Sequence, residues 1–126
     1  MILADSNVWI ALFKKDDALH PKASRLMTAL EKVGITEYAV GEVCSVLSMK
    51  ASASIANGFI QFITNSAQVD ILLSDGRIFY GTLASFEKRK HDKLSFTDTS
   101  LLLLASEHKI LTFDKNLAKE IEKLSP

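Results

Sequence analysis

Apolar residues along this chain follow two rhythms, short unbroken runs and longer stretches in which they recur every three or four positions. The first rhythm predicts buried strands and the second amphipathic helices. Ile2 to Ala4 is the first run and ends at Asp5, after which Val8 to Lys15 has helical spacing. Pro21 suits a first helical turn, and Ala23, Leu26, Met27, Leu30 and Val33 mark one face of a second helix that Gly34 is expected to stop. Ile35 to Ala39 reads as a second strand, followed by a helix around Glu42 and another with the face Ile55, Phe59, Phe62 and Ile63. Val69 to Leu73 is a third strand, and Phe79, Leu83 and Phe86 mark a helix running into Lys88, Arg89 and Lys90, bases that suit a helix C-terminus. A helix starting near Thr97, a fourth strand over Ile110 to Phe113 and a last helix over Lys115 to Leu124 complete the order.

Strands that alternate with helices in this way form βαβ units. The expected fold is therefore α/β, a three-layer α/β/α sandwich around a central, mostly parallel sheet. Leu101 to Ala105 is apolar on every side, as a helix in the middle of such a sandwich would be. No linker or repeat interrupts the order, so residues 1–126 are expected to form one domain.

Composition narrows the function little. Fifteen basic and fifteen acidic residues cancel, so a polyanionic partner would have to be met by a local basic patch rather than by the molecule's overall field. The single cysteine, Cys44, falls within the helical apolar set Val40, Val43 and Leu47 and reads as core. The start carries no positively charged region before its apolar residues, and no apolar run approaches the ~20 residues of a membrane span. A soluble cytoplasmic protein without membrane contact is expected.

The chemistry collects where such folds place it. In an open parallel sheet the ligand site lies beyond the carboxyl ends of the strands. Asp5 follows strand one directly, Glu42 is expected in the first turn of the helix after strand two, Asp98 begins the buried helix, and Asp114 follows strand four. Each acid has a plainer explanation. Asp5 and Asp114 could cap helices, Ser95 to Asp98 has capping-box spacing, and Glu42 could answer a helix dipole. Taken together they would crowd one sheet edge, where mutual repulsion is costly without a cation. Carboxylate oxygens favour Mg²⁺ or Mn²⁺ over zinc, for which the Cys and His spacings are missing. His20, His91 and His108 share no strand end and are not expected to be ligands. Metal-assisted hydrolysis of a phosphodiester is a reaction that such a site could support. No Gly-rich phosphate loop or nucleophile elbow offers another chemistry. A receiver-like domain is disfavoured because Asn7 stands where a second acid would be needed.

Four segments, Ile2 to Ile10, Val40 to Val43, Leu94 to Asp98 and Leu111 to Asn116, resemble in order and spacing the PIN domain, especially the toxin ribonucleases of VapBC-type toxin–antitoxin modules. The resemblance implies that Asp5, Glu42, Asp98 and Asp114 are the catalytic and metal-binding acids, supported by Asn7 and Thr112. It implies cleavage of RNA with Mg²⁺ or Mn²⁺ as cofactor, often by a homodimer that a cognate antitoxin holds inactive. Core packing is the default for Trp9, Phe13, Phe59, Phe62 and Ile63 on the early helices, while the resemblance implies that part of this apolar surface serves dimerisation or antitoxin binding. Asn116 stands where relatives commonly have an acid or histidine, and the further short strand with which many relatives finish is missing after Leu124. Lys14, Lys15, Lys90, Lys93 and Lys115 are possible RNA contacts, although the run over residues 88–90 equally suits a solvated helix end. The alternative to a nuclease is a PIN-like module that has lost catalysis and serves RNA binding or assembly.

Overall fold

The computed structural model describes residues 1–89 and 93–124. Four strands, β1 (Ile2–Ala4), β2 (Val33–Thr36), β3 (Val69–Leu72) and β4 (Lys109–Leu111), lie in the order β3-β2-β1-β4. All three pairings are parallel, with Leu3 opposite both Gly34 and Ile110, and Val33 opposite Val69. The helices are α1 (Ser6–Phe13), α2 (His20–Thr28), α3 (Glu37–Lys50), α4 (Ala53–Asn65), α5 (Gly76–Lys88), α6 (Phe96–Leu104) and α7 (Lys115–Glu122). The expected sandwich and its order of elements are present.

Alternation along the strands builds two cores. Ala4, Val33, Ile35 and Val69 pack with α1 to α4, whereas Leu3, Leu72 and Ile110 pack with α5 to α7. Successive residues of a strand point to opposite faces, so even a three-residue strand such as β1 serves both cores. Trp9 anchors the first, fully buried, with its indole N–H donating to the Ala4 carbonyl at 3.1 Å and its ring edge-on to Phe59. Helix α6 lies in the second, where Leu101, Leu102 and Leu104 are buried, as its continuous apolar run predicts.

The main departure from the sequence reading is at β2. Helix α2 ends at Thr28, and Val33 and Gly34 belong to the strand, which finishes at Thr36 rather than Ala39. Gly34 therefore does not stop a helix. It sits beside β1 in the centre of the sheet, and a Cβ there would lie 2.6 Å from both the Leu3 side chain and the Met1 sulfur. Close approach explains the glycine. The earlier start of α3 also moves Glu42 out of the first turn into the second. Helix α1 starts at Ser6 rather than Val8 and ends at Phe13, β3 ends at Leu72, β4 covers Lys109–Leu111, and α7 ends at Glu122, each a shift of three residues or fewer.

Gly34→Ala is expected to destabilise the protein by about 1–3 kcal/mol, because a buried Leu3 must leave its rotamer to admit the methyl group. Urea denaturation of the two proteins measures it, and equal midpoints would show that β1 and β2 have room to spare.

Candidate active site

The chain reverses direction across the sheet at β1. Strands β2 and β3 extend on one side of it and β4 lies on the other, so the crevice between the ends of β1 and β4 is the topological switch point. Asp5 leaves β1 at this crevice and caps α1, its Oδ1 accepting from the Ser6 N–H at 2.7 Å. Across the crevice, the Thr112 hydroxyl donates to Asp5 Oδ2 at 2.7 Å and accepts from the Asp114 N–H at 3.0 Å and from Asn7 Nδ2 at 3.4 Å. Asn7 Oδ1 accepts from the Phe113 N–H at 3.1 Å. Asn7 and Thr112 thus join the start of α1 to the segment before α7.

Asp114 caps α7, with Oδ1 accepting from the Asn116 and Leu117 N–H groups. Asp98 closes the capping box of α6, its Oδ2 accepting from the Ser95 N–H at 3.1 Å. The capping explanation is correct for these three acids, yet it occupies only one oxygen of Asp98 and one of Asp114. The Glu42 side chain makes no hydrogen bond or ion pair among the described residues. Asp5, Asn7, Glu42, Asp98 and Asp114 nevertheless line one open concavity of about 270 Å³, together with Ser6, Ile10, Val46 and Ser95. Thr112 stands behind its wall.

Burial and mutual repulsion govern the electrostatics. Asp5 is 2% exposed, and burial pushes its carboxyl up to about 6, with the charges of Asp98 and Glu42 adding to the rise and the bonds from Thr112 and Ser6 opposing it. Asp98 is raised as well, first by burial and then by Asp114 and Glu42. Among the described residues no lysine, arginine or histidine pairs with any of the four. The N-termini of α1, α6 and α7 add local positive potential.

These features fit a hard divalent cation, for which an all-oxygen donor set carrying excess negative charge is the usual host. The Ser6 hydroxyl, buried at the concavity without a partner, is a further oxygen there. No three acidic, histidine or cysteine side chains among the described residues converge tightly enough to enclose one ion by themselves. A cation held there would have to complete its shell with water, as Mg²⁺ commonly does. Ser6 was not singled out in the sequence, where nothing separates it from any residue that follows a capping aspartate.

Among the described residues, no basic side chain lines this concavity. Lys14 and Lys15 follow α1, Lys93 is exposed before Ser95, and Lys115 opens α7. Arg89 binds Glu120 at 3.0 Å, which favours a structural role for that end of α5. Lys90 and His91 lie outside the described residues. His20 turns away to the Ala11 carbonyl, and neither it nor His108 lines the site.

A four-stranded parallel sandwich with carboxylates gathered at its switch point defines a class of protein, and the sequence agrees with it. It matches the PIN domain over residues 2–124, and the chain belongs to that family. Among solved structures, Mycobacterium tuberculosis VapC20, a toxin that cleaves the sarcin–ricin loop, shares the fold with a TM-score of 0.84, 20% identity and 94% of each chain covered. No curated protein matches the sequence.

The raised carboxyl of Asp5 gives the pH dependence a definite sign. Its proton is held more tightly in the folded protein, so its contribution to stability is greatest below the ordinary value of 3.8 and is lost as pH rises through about 6. The full loss is about 3 kcal/mol, roughly half of it between pH 5 and 7.5. In EDTA the urea midpoint should therefore fall across that window and recover on adding Mn²⁺. A midpoint that rises with pH would contradict the assigned burial.

Proposed function

We propose that this PIN-domain chain is a divalent-metal-dependent endoribonuclease, in which Asp5, Glu42, Asp98 and Asp114 hold Mg²⁺ or Mn²⁺, and that it is the toxin of a toxin–antitoxin module. The observation that carries the reading is the set of four carboxylates facing one concavity without a counter-cation among the described residues. Family membership and the VapC20 fold support the same chemistry.

The chain's own residues would act as follows. Asp98 and Asp114, each anchored through one oxygen at the concavity they line, would offer the other to a cation, and Glu42 would offer both. Asp5 is oriented by Thr112 and Ser6 and would lose its proton as cation binding offsets its burial. A divalent ion bound there would supply the activation of water and the neutralisation of charge on the phosphodiester. Phosphodiester hydrolysis at this site needs no side-chain nucleophile.

Two partners belong to the reading. Trp9 and Phe59 are fully internal, as their core reading expects. Leu12, Phe13, Met27 and Phe62 nevertheless line an open groove of about 330 Å³, which suits an apolar segment of an antitoxin. An exposed apolar face lies on α5, where Phe79, Leu83 and Phe86 recur at helical spacing beside Tyr80. A second copy packed on that face gives a homodimer with two-fold symmetry. Leu83→Glu is expected to convert it to monomer in sedimentation equilibrium, and wild type sedimenting as a monomer would remove the dimer. An adjacent gene for a small DNA-binding protein that suppresses cleavage is the expected antitoxin. Without one, the chain would be an RNA-processing nuclease with the same chemistry.

The deciding experiment is cleavage of a mixed single-stranded RNA pool by the purified protein with Mn²⁺ or Mg²⁺. Cutting is expected to vanish in EDTA and to fall at least 100-fold in Asp98→Asn, a change that retains an oxygen for the Ser95 N–H. A folded protein that neither cuts nor binds metal by calorimetry would be a PIN-like RNA-binding or assembly module instead.

A further inference from the structure

The acid concavity opens onto a seam between two helices. Asn7, Ile10 and Lys14 follow one another at steps of three and four residues, and Glu42, Val46 and Lys50 at steps of four along α3, so each set shares a face. Helices α1 and α3 pack together, and Ile10 and Val46 line the acid concavity. One turn further along both, Lys14 and Lys50 line a second open concavity of about 370 Å³, with Lys15 beside them. The two hollows thus follow one another along the same pair of helices, carboxylate at one and ammonium at the other. Lys50 is eight residues beyond Glu42, about 12 Å along the helix axis.

The charge at the far end is not neutralised. Lys14 Nζ binds Asp16 at 2.8 Å, and Lys15 and Lys50 are exposed without an ion pair among the described residues. Three cations thus face one anion. The acid end repels a phosphodiester unless a divalent cation is present, whereas the lysine end attracts one unaided. A stacked strand rises about 3.4 Å per nucleotide, so about 12 Å corresponds to about three to four nucleotides.

We propose that Lys14, Lys15 and Lys50 form a backbone-phosphate subsite for the RNA, holding the strand in the α1–α3 seam about three to four nucleotides from the bond that is cut. The inference rests on the nuclease reading and adds the direction of the strand's path. It also gives a length to the substrate, because a dinucleotide is too short to reach the lysines.

The test compares the double variant Lys15→Glu/Lys50→Glu with Lys109→Glu, which changes charge at the start of the edge strand β4, outside both concavities. Binding is read by fluorescence anisotropy of a labelled single-stranded RNA of roughly twelve nucleotides, each variant being carried on the Asp98→Asn protein so that no strand is cut. The double variant is expected to bind about tenfold more weakly, with the slope of log K against log salt reduced by about 1.4 for two lost phosphate contacts. Lys109→Glu should leave both unchanged. In the cutting-competent protein, the double variant should raise KM for the long strand about tenfold at unchanged kcat, and leave a dinucleotide substrate unaffected. Equal affinity and salt slope in the double variant and Lys109→Glu, with normal cutting by wild type, would overturn the subsite, leave the nuclease reading intact and assign the lysines to an acidic protein segment. Wild type that neither binds nor cuts RNA would instead remove the nuclease reading, and the subsite with it.

Discussion

One hydroxyl holds the two sides of the switch point together. Thr112 Oγ donates to Asp5 and accepts from Asn7 and from the Asp114 backbone, so its one proton and both lone pairs are in use. It is the residue that makes a nearly inaccessible carboxylate tolerable at the end of β1, since the bond it donates is the largest influence opposing the effect of burial. Asn7 completes the tie by accepting from the Phe113 N–H. Through these bonds the ends of β1 and β4, more than a hundred residues apart in sequence, keep Asp5 and Asp114 on the same wall.

Capping and ion binding are often treated as competing explanations for an acid at a helix start, and here they coincide. A cap needs one carboxylate oxygen, because a single acceptor can serve one or two N–H groups. Asp114 serves two N–H groups with Oδ1 alone, and Asp98 uses Oδ2. The cap fixes the side-chain torsions and aims the remaining oxygen, which is what a ligand needs for low reorganisation cost. Glu42, in the second turn of α3, has no such restraint and is the member of the set most free to adjust to a cation.

The distribution of charge follows the same economy. A chain with equal numbers of acids and bases has no net field to draw in a polyanion, but it can separate the two along a seam. Carboxylates near the strand ends and lysines about two turns further along α1 and α3 make such a separation. The apolar side chains are divided as well. The aromatic residues of α1 and α4 close the first core through edge-on contacts among Trp9, Phe13 and Phe59, while those of α5 remain at the surface.

Much of this was legible from residue order alone. Unbroken apolar runs and period-3.6 patterns depend only on neighbours in sequence, so the seven helices and four strands of the described residues, and the positions of Asp5, Asp98 and Asp114 beside them, could be read directly. Which partners those elements meet could not. Gly34 has the same composition cue whether it ends a helix or admits a neighbouring strand, and only the pairing of β1 with β2 shows which. The turn of α3 that carries Glu42 depended on where that strand stopped. Trp9 and Phe79 both lie on apolar helix faces, yet one is enclosed by a second helix and the other is not, a distinction that exists only once the layers are stacked. The sequence by itself determined the local elements and the inventory of oxygen ligands. The tertiary structure decided their convergence, because bringing β4 beside β1 is a long-range event whose outcome is encoded in packing across both faces of the sheet and in no single segment.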